Sequence, residues 1–346
     1  MILVRSASPR DLEAVFALSR LLDTMNLPHD RAVLDALCAR ADASFAGELP
    51  VDERVFLFVL EDGDGRIVGT SMIHAQHGTR RSPHVFFDVR DEERYSESID
   101  RHLSHRVLRI GYDYDGPTEI GGLVLAPDRR GAPEQLGRVL SCARFLFIAA
   151  RRASFRDAIL AELMPPLEAN GTSRLWECLG RVFTGGMSYQ EADRLSTRNK
   201  EFIRALFPQD PIYASLLPED VQAQIGQVGP ATKGVERMLR RIGFSYAARI
   251  DPFDGGPHFV GVTDALSLVR DTRAHRVSSR ARALGDGRGA SAIVGVVRDR
   301  GPWFSACRTA CAVEDGEVAL PDAARARLQV SPGEHVWVQP IEDARA

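Results

Sequence analysis

Apolar and polar positions alternate along this chain with two different periods, and each change of period marks an element. The run 2–5 reads as a short strand. Leu12, Val15, Phe16 and the 19–22 segment then fall at helical spacing, with Ser8 as cap, Pro9 in the first turn and Asp11 at the positive helix end. "VFLFVLEDGDGRIVGTSMIHA" holds two β-rich runs around Asp62-Gly63-Asp64-Gly65, a hairpin signal. In "TEIGGLVLAPDRRGAPEQLGRVLSCARFLFIAARR" a strand ends at Leu125 and a Pro, Arg and Gly-rich loop follows. A long helix then starts near Glu134, with Leu136, Val139, Leu140, Ala143, Leu146 and Phe147 on its apolar face. "DAILAEL" (157–163) is the next strand.

Helices follow around 174–181 and 188–206, the second opened by the box-like Ser188-Tyr189-Gln190-Glu191. A further helix carries Val235, Met238, Leu239 and Ile242 on one face and stops at Gly243. Residues 271–289 lose periodicity and read as a linker. Beyond them "SAIVGVVRD", "WFSACRTACAV" and "EHVWVQPI" alternate like strands, with "DAARARL" as one short helix. The expected division is therefore an α/β domain over 1–270 with a helical insertion around 174–225, a linker at 271–289, and a small β-rich C-terminal module over 290–346.

A net charge of −3 from mixed signs gives neither a nucleic-acid footprint nor a basic membrane patch, so neither partner is expected. Five scattered cysteines without CxxC spacing argue against a disulfide framework and a zinc-binding motif; Cys307 and Cys311 read as packing residues. His74, His77, His84, His102 and His105 cluster in sequence, and His102-x-x-His105 would share a helix face. No third ligand follows at suitable spacing, so no metal is expected. Without a secretory pattern or a long apolar run, a cytoplasmic protein is expected.

The junction 125–137 carries the clearest chemistry. Free amides at a helix start form an anion site, Gly131 and Gly137 permit close backbone approach, and Arg129 and Arg130 add positive charge, which together suit a pyrophosphate. The order of elements around this loop resembles the GNAT acyltransferase fold, which implies a mixed central sheet flanked by helices and a loop cradling acyl-CoA.

The resemblance extends over nearly the whole chain. "FVLEDGDGRIVGTSMI", "LWECLGRVF", "FIRALFPQDPIYASLLP", "LPEDVQAQIGQV", "IDPFDGGPHF" and "VALPDAARARLQVSPGEHVWVQPI" resemble the arginine N-succinyltransferase family. That likeness implies succinyl transfer from succinyl-CoA, a co-substrate, to the α-amino group of L-arginine, with no tightly bound cofactor. It puts Leu125 on the family's acyl-CoA-binding leucine and the main chain of Leu123, Val124 and Leu125 along CoA. Asp251 and Asp254 are candidates for the guanidinium, with Glu119 and Asp128 as weaker ones; the alternative for an Asp before glycines is a turn.

One position departs from the family. Its pattern IGQVHP, whose histidine is the presumed proton donor, reads Ile225-Gly226-Gln227-Val228-Gly229-Pro230 here. His258 stands where the family usually has threonine and is the candidate substitute. Alternatively no side-chain acid is needed, or the chain takes a different amine or acyl-CoA, or it is a non-catalytic CoA-binding subunit that supports a paralogous catalytic chain; a homo-oligomer or a paralogous subunit is the assembly expected. If the histidine is simply missing, Gly229→His is expected to raise turnover.

Overall fold

In a computed structural model of the protein, residues 1–21, 27–196, 200–279 and 290–341 are described. Their strands are β1 (Leu3–Ser6), β2 (Val55–Glu61), β3 (Ile67–His74), β4 (His84–Ser96), β5 (Arg101–Asp113), β6 (Thr118–Leu125), β7 (Ala158–Glu162), β8 (Ile212–Tyr213), β9 (Ser245–Ile250), β10 (Pro257–Val262), β11 (Arg273–Val277), β12 (Ala290–Val297), β13 (Phe304–Glu314), β14 (Glu317–Ala319) and β15 (His335–Pro340). The chain forms two compact units. Unit 1 comprises Met1–Gln76, Thr118–Asp157 and Thr263–Ala346; unit 2 comprises His77–Pro117 and Ala158–Val262.

In unit 1 the sheet runs β6-β3-β2-β1-β13. The β2–β3 hairpin turns where expected: the Asp62 carboxylate accepts the amides of Asp64 and Arg66 at 3.0 Å each, and Gly65 takes φ +83°. Asp11 accepts from the Ser8 amide at 2.8 Å and pairs with Arg5, fixing the start of the helix Leu12–Ser19. A second helix, Arg31–Ala46, is capped by Asp30 and ended by Gly47 at φ +79°. The long helix Leu136–Ala150 buries its expected apolar face, and Phe147 meets Phe45, Phe56, Phe58, Phe155 and Phe304 at ring centroids 5.0–5.9 Å apart.

The β-rich C-terminal part starts earlier than the sequence suggested. Arg273–Val277, inside the expected linker, is strand β11; residues 280–289 lie outside the described residues. β12 pairs β15, β15 pairs β11, β11 pairs β14 in parallel, β14 pairs β13 and β13 returns to β12, so five strands close on themselves. Val277, Val294, Cys307, Cys311, Val318 and Leu328 fill the inside. The two cysteines are packing residues, as expected. β13 also pairs β1, so this barrel is continuous with the unit 1 sheet and is not a separate module. Short polar strands such as "RAHRV" carry almost no apolar alternation, which hid β11 from periodicity.

Unit 2 has the strand order β7-β10-β9-β4-β5-β8. Its core gathers Trp176, Leu179, Ile203, Phe207 and Val221 from the helical segments against Phe87, Leu108 and Ile250 from the strands. Ser188 and Glu191 make the expected reciprocal cap, and Gly243 at φ +114° ends the helix Lys233–Ile242. The region expected as one helix at 188–206 contains two, Tyr189–Ser196 and Glu201–Leu206. His102 and His105 lie on strand β5, where residues three apart face opposite sides, so they share no face.

Candidate active site

The proposed acyl-CoA residues are brought together within unit 1. Gly122 takes φ +55° and the β3–β6 register slips between Thr70 and Met72, a bulge that re-aims the end of β6. Thr70 Oγ1 donates to the Gly122 carbonyl at 3.1 Å and the buried Arg144 donates to that of Gly121 at 3.3 Å. Burial lowers the Arg144 pKa to about 10. Past the bulge Leu123 and Leu125 are partly open while Val124 is buried. Gly131, at φ +73°, has open space around it, and a Cβ built on Gly137 would meet only the Leu125 side chain, at 4.0 Å. The helix start at Leu136 has no side-chain cap, as an amide-lined anion site requires. The two arginines are already engaged: Arg129 Nη2 donates to Asp62 at 2.7 Å, and Arg130 Nε to the Leu125 carbonyl at 3.2 Å. Asp128 pairs with Arg66.

The other group lies in unit 2, at the end of β7. Phe253 stacks on Trp176 at 5.3 Å and anchors the turn 251–256 in the core. Asp251 Oδ1 accepts the amides of Phe253 at 2.6 Å and Asp254 at 3.3 Å, and Asp254 Oδ1 accepts that of Gly256 at 2.7 Å. Both aspartates therefore build the turn. They remain electrostatically exposed to each other: burial and the charge of Glu162 raise Asp251 to about 6, and burial with Asp251 alongside raises Asp254 well above the ordinary range. Such a crowd of acids favours a cation.

His258 is completely buried, directly opposite Glu162 in the β10–β7 register. Burial pushes its pKa down to about 3, so it is neutral at physiological pH. That corrects the expectation for it, because a proton donor must carry the proton. The protonated ring is His84. Burial opposes its charge, but Asp113 and Glu162 outweigh burial and raise it to about 9, with Nε2 2.9 Å from Glu162 Oε1. Burial opposes the charge of Glu162 too, yet its pKa lies well below the usual carboxylate range; with His258 neutral, the charged neighbour that holds it there is His84. Sequence reasoning missed Glu162 and Asp113, and weighed His84 only within the histidine cluster. Their one signal was a charged residue closing the otherwise apolar "AILAE".

Gly229 is packed too tightly to carry a side chain. Its amide donates to the Met164 carbonyl at 2.8 Å, and an added Cβ would stand 2.5 Å from the Pro165 oxygen and 2.9 Å from that of Met164. Gly256 presses on the same segment, 2.5 Å from the Leu163 oxygen by the same construction. Gly229→His would meet the same backbone atoms and is not a simple restoration.

A family model described as the arginine N-succinyltransferase beta subunit matches residues 2–268. The chain belongs to the arginine N-succinyltransferase family. Among its relatives, the Arginine N-succinyltransferase of Citrobacter koseri is 35% identical over 277 residues, 79% of each chain. The Arginine N-succinyltransferase subunit beta of Pseudomonas aeruginosa is 35% identical over 274 residues, 78% of this chain and 79% of that one. The solved structure of arginine/ornithine succinyltransferase subunit AI from Pseudomonas aeruginosa covers 99% of both chains at a TM-score of 0.83 and 27% identity. The mixed α/β, GNAT-like acyltransferase fold expected from the sequence is the fold of the arginine N-succinyltransferase family found here. No helix among the described residues is long and apolar enough to cross a membrane.

Proposed function

We propose that the protein transfers a succinyl group from succinyl-CoA to the α-amino group of L-arginine. The observation that carries this reading is the unbroken family match over 2–268, which includes both the bulged β6 with its uncapped helix and the acidic turn. In this reading the main chain of Leu123 to Leu125 runs along CoA, and the loop Arg129 to Gly137 holds the pyrophosphate. Asp251 and Asp254 receive the guanidinium, which relieves their mutual repulsion. The neutral amine attacks the thioester carbonyl, the tetrahedral adduct collapses with cleavage of the C–S bond, and the amide keeps the succinyl group. The ammonium proton of the adduct passes to solvent. The CoA thiolate, with an ordinary thiol pKa of about 8.5, takes its proton from water, so neither Gly229 nor His258 has to supply one.

The reaction is placed in the cytoplasm and requires no tightly bound cofactor. The word subunit in the relatives' names supports assembly with a further copy or a paralogous chain. A second reading, a CoA-binding subunit without catalysis, is favoured by Gly229. Mixing the protein with succinyl-CoA and L-arginine and following free thiol separates them. Thiol release dependent on arginine is expected; CoA binding without release would replace the first reading by the second.

A further inference from the structure

We propose that His77, His84 and Glu162 bind one divalent transition-metal ion within unit 2, with the His258 ring beside Glu162. One ligand atom from each of His77, His84 and Glu162 lies within 4.8 Å of the others. Glu162 Oε1 is 2.9 Å from His84 Nε2 and 3.4 Å from His258 Nε2. A tetrahedral zinc with bonds of about 2.0–2.2 Å holds neighbouring donors about 3.3 Å apart, so the donors would have to re-space around the ion, the His84–Glu162 pair opening slightly and the wider spacings closing. The rings of His77 and His84 crowd each other as ligands of a single ion do, with centroids 4.5 Å apart, and those of His84 and His258 are 5.2 Å apart.

The backbone fixes the donors independently of any ion. His84 opens β4, Glu162 closes β7, and His258 is the cross-strand partner of Glu162. His258 flanks the same carboxylate. It is fully enclosed, and neither ring nitrogen makes a hydrogen bond, which is a costly state for a buried imidazole and marks this corner as polar and incompletely satisfied. Behind His84, Asp113 Oδ2 stands 3.7 Å from Nδ1 and is itself held by Arg249 at 3.1 Å, the carboxylate support that orients metal-bound imidazoles. Imidazole donors with one carboxylate select zinc or a neighbouring ion over calcium or magnesium, and three protein donors leave the fourth tetrahedral position to water. Sequence spacing concealed it, since the cluster is assembled from a loop and the ends of two strands, β4 and β7.

The test does not depend on acyl transfer. The full chain is treated with chelator, dialysed and titrated with Co²⁺, followed by visible d–d absorption, then challenged with Zn²⁺. Saturation at one Co²⁺ per chain with a tetrahedral spectrum, displacement by Zn²⁺ and a raised Tm with Zn²⁺ are expected. Glu162→Gln and His84→Ala should each weaken binding by about 100-fold, and Asp113→Asn by about 10-fold. If His84→Ala does not fold, His77→Ala, in the loop before β4, reads the same loss. Absence of saturable uptake, a weak octahedral spectrum, or unchanged Co²⁺ affinity in the folded variants overturns the proposal.

Discussion

Replacing Gly229 by alanine adds one methyl group where the structure leaves no room for it. The new Cβ would stand 2.5 Å from the Pro165 carbonyl oxygen, 2.8 Å from its carbon and 2.9 Å from the Met164 oxygen, all of them backbone atoms. No rotamer change relieves this, so the loop or the segment after β7 has to move. Overpacking of this kind costs about 1–3 kcal/mol. The movement also strains the bonds that the Gly229 amide and Thr232 Oγ1 donate to Met164, at 2.8 and 3.0 Å, worth about 1 kcal/mol each. A total of about 2–4 kcal/mol is expected, or a Tm lowered by about 5–10 °C. Thermal unfolding followed by circular dichroism measures it. Gly229→His suffers the same collision, so thiol release from succinyl-CoA should fall along with Tm. An alanine variant within 1 °C of the parent, or a histidine variant with faster thiol release, would refute the reasoning.

The acidic turn yields two further expectations. Asp254→Asn should raise KM for arginine by about 10- to 100-fold through loss of a charge-assisted contact, with a smaller change in kcat. Asp251 is raised to about 6 in the free protein, so it is ionised only above that pH, and a cation binds the ionised form. KM for arginine should therefore fall as pH rises through about 6; a profile flat from pH 5 to 8 counts against the assignment. Trp176→Ala removes the support under Phe253 and should cost about 3–5 kcal/mol in urea unfolding, with weaker arginine binding in the fraction that stays folded. Arg144→Ala strips the Gly121 carbonyl and Ser141 of a donor, and should lower stability by about 1–3 kcal/mol and raise KM for succinyl-CoA.

What the sequence revealed follows the range of the interactions involved. The Asp62–Gly65 turn, the Ser188–Glu191 cap and the apolar face of 136–150 are written in residues a few positions apart, and each appears as read. The helix Arg31–Ala46 was overlooked because its apolar positions are sparse among alanines and charges, although Asp30 and Gly47 bracket it. The site divides in the same way. Asp251 and Asp254 announce a turn and make one. The partnership of Glu162 with His84 and His258 is a product of strand pairing, and no spacing along the chain encodes it. His258 was a candidate proton donor through its place in the family's motif, and its enclosure, invisible in the sequence, is what favours the neutral ring.

The pairing of β1 with β13 ties the beginning of the chain to its last segment: Val4 lies opposite Ala306 and Arg5 opposite Ser305. One edge of β1 therefore stays open until β13, far along the chain, has been synthesised. Such an edge invites pairing with other chains, and closing it so late makes the folding of unit 1 strongly non-local. A chain stopped before residue 304 would keep its hairpin and helices yet present β1 as a sticky border. Loss of the C-terminal strands should therefore be felt first as insolubility during synthesis.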